Sequence, residues 1–361
     1  MELTPSSVVS ITSSVDDDIW HADKSKRAYE WWYFDAISDD GRDAIIIVFL
    51  DNFIFSPRNS DPMLSNGGEM VNIRAFETQT RYPAVSFTLI RDGQLLYRAM
   101  NEFSEEDLAP TPNAIGYRFG ESSFCFETAQ YGSGYMLSVV ASLGAGRRLK
   151  ADLEWLSVET DLTPEATVLP PECIGWNVVA PRSDVSGKIE VNEENRDLVE
   201  SVFFLGTGRH DHVIDDRWLR ETETRFHRGA AHFVDATALF GHFDEPADGM
   251  AESELILIRD GSMSVMNAWC EEQEIVRDRH GIRHASNLVF TSKEGIRLAV
   301  RCTSVLDSSF FYLRMLNDVS LTLEDGSVRT SEGLSELIAP QFQRHRWLDW
   351  LANLRRTSRD F

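Results

Sequence analysis

Short runs of β-branched and aromatic residues recur along the chain, and Gly-, Asp- and Asn-containing turns break them. Tyr29–Ser38 and Ala44–Phe55, joined across Asp39-Asp40-Gly41, read as a hairpin. Val85–Ile90 passes through Arg91-Asp92-Gly93 into Leu95–Arg98. Further strands are expected at Gly134–Ala141, Leu149–Val158, Val185–Val191, Ala230–Phe243, Glu254–Ile258, Ser262–Trp269, Ser286–Thr291, Ile296–Thr303 and Val319–Leu323. Helical spacing shows only near the end, in Glu332–Ile338 and Gln341–Arg355, where Phe342, His345, Leu348 and Trp350 or Leu351 share a face. The pattern predicts an all-β protein with a C-terminal helix.

One strand stands apart. In Glu30-Trp31-Trp32-Tyr33-Phe34-Asp35, alternation puts Glu30, Trp32 and Phe34 on one face and Trp31, Tyr33 and Asp35 on the other. Rings on both faces require cover on both faces. Such a strand packs between two layers, or one face lines an apolar cavity with an acid beside it.

At 361 residues the chain suggests two domains. Leu89-Ile-Arg-Asp-Gly93 recurs as Leu257-Ile-Arg-Asp-Gly261, each at a strand end, which hints at two similar antiparallel units in tandem. The polar stretch Asn192–Asp197 is the expected seam, giving domains 1–197 and 198–361. The balance of 35 basic and 58 acidic residues, net −23, argues against nucleic acid and anionic membranes as partners. The four cysteines are widely spaced without CxxC, which fits free thiols in a reducing compartment. The first residues lack a signal-peptide pattern, and no apolar run approaches the ~20 residues of a membrane-spanning helix. A cytoplasmic protein without integral membrane association is expected.

Glu30–Asp35 with Ala36 and the following Asp-Asp-Gly turn resembles the carotenoid 1,2-hydratase (hydroxyneurosporene synthase) superfamily. Phe53-Ile-Phe-Ser-Pro57 and Trp176-Asn-Val-Val-Ala-Pro181 are also similar to segments of those hydratases. Gly206-Thr-Gly-Arg-His-Asp-His212 resembles their Gly-x-Gly-Tyr-His-Asp-His-Asn-Trp signature, and Phe226–His232 sits where they carry Trp-x-Trp-Gly-x-x-His. Similar motifs occur in fungal lipocalin-like Diels–Alderases. The likeness runs from about Asp18 to Asp244. It implies two tandem lipocalin-like (calycin) β-barrel or sandwich domains with a hydrophobic pocket near their contact. It does not specify a reaction. The chain departs from the signature at Arg209 (for Tyr), at Val213-Ile214 (for Asn-Trp) and at Phe226 and Arg228 (for the Trp pair). Phe243-Asp244, beside His242, stands nearest to the hydratases' aromatic–acid pair.

Five of the nine histidines lie between positions 210 and 242: His210, His212, His227, His232 and His242. On a strand, His210 and His212 share a face with Asp211 opposite. His-x-His can chelate, but no Glu at cupin-like spacing and no second metal motif accompany it, so no metal is expected. No Gly-x-Gly-x-x-Gly, P-loop or Gly-x-Ser-x-Gly is present, so no cofactor is expected either. Protonating an alkene needs a carboxylic acid kept neutral by burial, with Asp35, Asp211 and Asp244 as candidates. Ring faces would stabilise the resulting cation. A pericyclase needs only an enclosing pocket and one or two donors, such as Arg209, His212 or Tyr33.

The expected catalytic residues are therefore Asp211, Asp244, His210 and His212. The expected substrate contacts are Trp32, Tyr33, Phe34, Trp176, Arg209, His232 and Phe240. The alternative role for Asp211 and the histidines is a strut between domains. The function this implies is a cofactor-independent hydratase or proton-initiated cyclase of an isoprenoid-like polyene. A pericyclase of a polyketide-type polyene and a non-catalytic carrier of an apolar ligand are the alternatives.

Overall fold

The computed structural model describes residues 9–22, 28–53, 56, 81–162, 173–193, 196–216, 225–245 and 250–339. Twenty strands fill most of them. The first sheet contains β1 (Val9–Thr12), β2 (Tyr29–Ser38), β3 (Asp43–Leu50), β4 (Ala84–Arg91), β5 (Gln94–Glu102), β6 (Leu108–Pro110), β7 (Gly116–Phe119), β8 (Ser122–Ala129), β9 (Gly132–Gly144), β10 (Arg147–Glu159), β11 (Ile174–Glu193) and β12 (Arg196–Asp215). Its order is β5-β4-β3-β2-β12-β11-β10-β9-β8-β7-β6, with β1 parallel to the start of β11. The sheet is open but curls until β5 lies against β9.

The second unit is a closed barrel of eight consecutive antiparallel strands. They are β13 (Arg225–His232), β14 (Thr237–Glu245), β15 (Met250–Arg259), β16 (Ser262–Arg277), β17 (Arg283–Ser292), β18 (Arg297–Ser308), β19 (Tyr312–Thr322) and β20 (Val328–Ile338). The repeated Leu-Ile-Arg-Asp-Gly segments form the β4–β5 turn in the sheet and the β15–β16 turn in the barrel. In both the Asp and Gly have positive φ, 49° and 71° at Asp92-Gly93 and 54° and 71° at Asp260-Gly261. Those angles suit the twist of a tight hairpin, which is why the same dipeptide serves both.

Three cores result. Trp32, Phe34, Phe124 and Trp155 pack inside the curled sheet, and Phe240, Phe290, Leu298 and Leu321 fill the barrel. The third core lies between the outer faces of the two units, where Trp31, Trp176 and Val213 meet Phe226, Leu239, Phe243 and Ile338. Both faces of β2 are therefore covered, as its rings require.

Two expectations are corrected. Residues Glu332–Ile338 are strand, not helix: they belong to β20, which pairs with β13 and β19 and closes the barrel. Residues 333–338 are buried without alternation because both faces are covered, and that hides the period of two. The helix expected over 341–355 lies outside the described residues. The seam expected at 192–197 falls within the first sheet, since β11 and β12 pair as far as Glu193 and Arg196. The chain passes to the barrel between Asp215 and Arg225. A polar stretch there marks a hairpin end, which resembles a linker in composition.

Strands β2 and β12 meet tightly at Gly208, where a Cβ would stand 2.3 Å from the Asp35 carbonyl oxygen. Gly208→Ala is thus expected to cost about 1–3 kcal/mol by overpacking. Urea unfolding that gives the variant an unchanged midpoint would show that this close approach does not constrain the sheet.

Candidate functional site

The antiparallel register of β2 and β12 sets every side chain at the candidate site. Phe34 lies opposite His210, Tyr33 opposite Asp211, and Trp32 opposite His212. Alternation then sorts these residues onto two faces of one sheet.

The inner face carries a buried acid–imidazole chain. Tyr135 donates its hydroxyl to Asp18 Oδ2 at 2.6 Å, and His210 Nε2 approaches the same oxygen at 3.1 Å. His210 Nδ1 donates to the Tyr33 carbonyl at 3.1 Å, and its ring stacks on Phe34 with centroids 3.9 Å apart. His212 reaches Glu30 Oε1 through Nε2 at 2.8 Å, while its Nδ1 lies 3.1 Å from Asp18 Oδ1. That second contact is off the hydrogen-bond line and acts as an ionic attraction. His21 Nδ1 completes the chain at 2.8 Å from Glu30 Oε1.

Burial disfavours a charged His212, but its close contacts with Asp18 and Glu30 and their negative charges outweigh it and push the imidazole up to about 9. Burial likewise works against an ionised Asp18, yet His210 and His212 hold it down to about 2. His21, Glu30 and His212 bring their ligand atoms within 4.8 Å of one another, as a metal set would. The two 2.8 Å separations are hydrogen-bond lengths, shorter than the about 3.3 Å between neighbouring ligands on a tetrahedral zinc. The spacing is that of a hydrogen-bonded relay.

The outer face looks onto the barrel. Arg209 Nε spans Asp35 at 3.2 and 3.3 Å, and its Nη1 donates to Asp211 Oδ2 at 2.7 Å. Burial raises the proton affinity of Asp35 and Arg209 opposes it; the balance is upward. Arg228 of β13 crosses toward this group, with Nη1 3.8 Å from Asp211 Oδ2. Its guanidinium lies over the rings of Tyr33, at 4.8 Å, and Trp31, at 5.6 Å. Arg228 is 3% exposed, and among the described residues none of its guanidinium nitrogens has a hydrogen-bond partner; Asp211 Oδ1 is also unsatisfied there.

A cleft between sheet and barrel opens beside Arg228, lined also by Trp31, Tyr33, Met100, Tyr312 and Glu336. In this structure it is closed down to about 40 Å³, room for a water or two. Arg314 bridges the two units there, binding Glu336 Oε2 at 2.8 Å and Thr88 Oγ1 at 3.0 Å.

The expected site residues thus divide. Tyr33, Arg209 and Asp211 lie on the outer face, and Trp176 packs at Gly241 in the same contact between units. His232 is on this side as well: burial, then the nearby Arg209 and Arg182, hold its imidazole down to about 3. Trp32, Phe34, His210 and His212 lie on the inner face. Phe240 belongs to the barrel core. Asp244 shares the row of His242 and Phe240, opposite the side of β14 that meets the sheet, and is not brought to Asp211. The boundary expected at 197 would put His210, Asp211 and His212 in the second domain, but β12, which carries them, is a strand of the first sheet; β13 of the barrel brings Arg228 and His232 to its outer face.

Asp18, Glu30, Arg228, Arg314 and Glu336 were not among the expected site residues. Glu30 carried a signal in its place on the Trp32 face. Glu336 was hidden by the helical reading of its segment. Arg228 stood out only as a substitution for an expected Trp.

An open curled sheet packed on a closed eight-stranded barrel, almost wholly β, makes this a two-unit lipocalin-like protein. Among known proteins the chain is similar to hydroxyneurosporene dehydrogenase of Chlorobaculum tepidum, 24% identical over 347 residues that cover 92% of this chain and 88% of that one. Its fold is shared with CghA solved with Sch210972 (TM-score 0.55, 12% identity, 87% of this chain and 89% of that chain). Kievitone hydratase from Nectria haematococca also has this fold (TM-score 0.55, 9% identity, 93% of this chain and 97% of that chain). No family model matches the chain. The resemblance to the carotenoid hydratase-like superfamily read from the aromatic strand thus extends over nearly the whole chain. Among the described residues no helix is long and apolar enough to cross a membrane.

Two outcomes follow from the geometry. His212 has a folded value near 9 against about 6.5 unfolded, so its ion pairs stabilise fully below pH 6.5 and are lost as pH rises through 9, roughly 3 kcal/mol in all. Buried His227 is held down to about 3 by desolvation and, like His232, acts in the opposite sense, removing stability as pH falls below 6.5. Melting temperatures of the wild type should fall between pH 6.5 and 9.5, and His212→Gln should flatten that limb; a wild-type profile without it would contradict the assignment.

Asp211→Asn strips a buried counter-charge from Arg209 and Arg228, at an expected cost of about 3 kcal/mol. Asp244 is half-buried and forms no ion pair among the described residues, so Asp244→Asn should cost less, under about 1 kcal/mol. Equal losses in the two variants would remove the distinction between strut and bystander.

Proposed function

We propose that the protein is a cofactor-independent enzyme of the lyase or isomerase class. It holds a hydrophobic, unsaturated, carbonyl-bearing small molecule between sheet and barrel and promotes its hydration or cyclisation. The observation that carries this reading is Arg228, a buried cation with no hydrogen-bond partner among the described residues, set against the Trp31 and Tyr33 rings at the edge of an apolar cleft. A buried guanidinium is costly unless something accepts its hydrogen bonds. A substrate carbonyl would do so, and would gain more as negative charge develops on its oxygen. The similarity to a protein named for hydroxyneurosporene, and the fold shared with kievitone hydratase and with CghA, are in keeping with this reading.

The chemistry of the cleft favours polarisation over protonation of an isolated alkene. Glu336 and Asp211 are bound to arginines, as is Asp35, the acid whose proton affinity is raised. A carbonyl conjugated to a polyene needs no strong acid. Polarised by Arg228, it becomes open to attack by water at the β-carbon, or reacts faster as a dienophile. Because the cleft is closed in this structure, substrate entry requires Met100 and the Phe311–Tyr312 segment to move aside. Asp211, fixed by Arg209, orients Arg228 and does not itself supply the proton.

The experiment begins with solvent extraction of the natively purified protein and mass spectrometry of what is released. Turnover of that compound, or of a synthetic polyene ketone, is then compared in wild type and Arg228→Met. A hundredfold or so loss in kcat/KM is expected, the usual scale for removing one oxyanion donor. Turnover within threefold of wild type would rule Arg228 out. Reaction in D₂O separates the two modes: conjugate hydration leaves deuterium on the carbon next to the carbonyl, whereas a pericyclic closure leaves none.

A further inference from the structure

A second cavity lies on the far side of the β18–β19 turn from the cleft. It is a groove of about 490 Å³, lined by β5 (Leu95, Leu96, Tyr97, Arg98), by Leu143 and Arg147 at the β9–β10 turn, and by Arg279, His280 and Ser308–Phe310 of the barrel. That volume is within the usual range for small-molecule sites. Phe310 faces this groove while its neighbours Phe311 and Tyr312 line the cleft, so one turn separates the two.

The groove is cationic on a protein whose net charge is −23. Its carboxylates are already engaged. Asp307 Oδ1 accepts from Arg98 at 2.7 Å and Asp278 lies 3.2 Å from His280 Nδ1, while Glu200 binds Arg91 at 3.0 Å and takes the Tyr97 hydroxyl. Arg147 has no carboxylate partner among the described residues, and Arg279 only donates Nε to the Ser308 hydroxyl at 3.1 Å. Two guanidinium charges in the lining, one from each unit, therefore have no carboxylate partner among the described residues. Beside them, Leu95 and Leu96 are 40% and 38% exposed, and Phe310 adds a ring. Forked donors facing a shared space fit the oxygens of phosphate or carboxylate, and the leucines fit an apolar chain.

We propose that this groove binds an amphiphilic organic anion, with its phosphate or carboxylate head between Arg147 and Arg279 and its apolar chain along Leu95, Leu96 and Phe310. Ligand binding ties the sheet to the barrel, because each contributes one of the two arginines. The site is independent of the chemistry assigned to Arg228.

Isothermal titration of the full chain with octyl phosphate, octanoate, octanol and inorganic phosphate tests it. Octyl phosphate or octanoate should bind at one site, more tightly than inorganic phosphate or octanol by tenfold or more. Whichever of the two binds tighter identifies the head as phosphate or carboxylate. Arg147→Gln/Arg279→Gln changes partly exposed side chains outside any ion pair, so it should leave the melting temperature in place and weaken that binding at least tenfold. Arg228→Met should leave it unchanged. Binding within twofold of wild type in the double variant, octanol binding as well as octyl phosphate, no binding of either amphiphile, or loss of binding in Arg228→Met would each overturn the proposal.

Discussion

The pairing of β2 with β12 governs this molecule, because over Tyr29–Ala36 and Gly208–Val213 the two strands are buried on both faces. Most β-strands keep one face for water and place polar side chains there. Here each face of the pair abuts a hydrophobic core, so every polar residue on it must find a partner inside the protein. Asp35, Arg209 and Asp211 do so on the side facing the barrel, and Asp18, Glu30, His210 and His212 do so inside the sheet. The charges are costly to bury singly and tolerable only as linked sets. Asp18 and Asp211 each keep one oxygen without a hydrogen bond, and Arg228 is brought to the boundary with ring faces but no hydrogen-bond acceptor among the described residues.

The two polar sets differ in character. In the inner one carboxylates and imidazoles face one another, although Asp18 Oδ1 has no hydrogen bond among the described residues, and the pull of Asp18 and Glu30 keeps a proton on His212 past neutrality. Such a set fixes the position of the Trp32 and Phe34 rings stacked on it. The outer set carries more donors than acceptors at the cleft and lies where two separately closed units touch. Contacts between units part more easily than the interior of either. Under the proposed function the inner set is accordingly structural, and the ligand sits beside the outer set.

Much of this arrangement was legible in the sequence. The strand rhythm, the paired Asp-Gly turns and the division of Glu30–Asp35 into two faces all follow from local sterics and a side-chain period of two. The same rule placed His210 and His212 opposite Asp211. It failed where burial on both sides erased the alternation, so that β20 resembled helix. It failed again where a polar hairpin end had the composition of a linker.

By itself the sequence determined which side chains share a strand face, since that depends only on neighbours one or two residues away. Which faces meet was decided by the tertiary structure. Arg228 and Glu336 reach Tyr33 from strands about 200 and 300 residues distant in the chain, and Asp18 reaches the two histidines from a segment before the first long strand. Asp244, which the sequence set beside Asp211 as an equal candidate, is separated from it because the barrel closes with that row of β14 turned inward. Closure of the barrel and curling of the sheet are properties of whole sets of strands, and no local pattern records where they bring distant charges together.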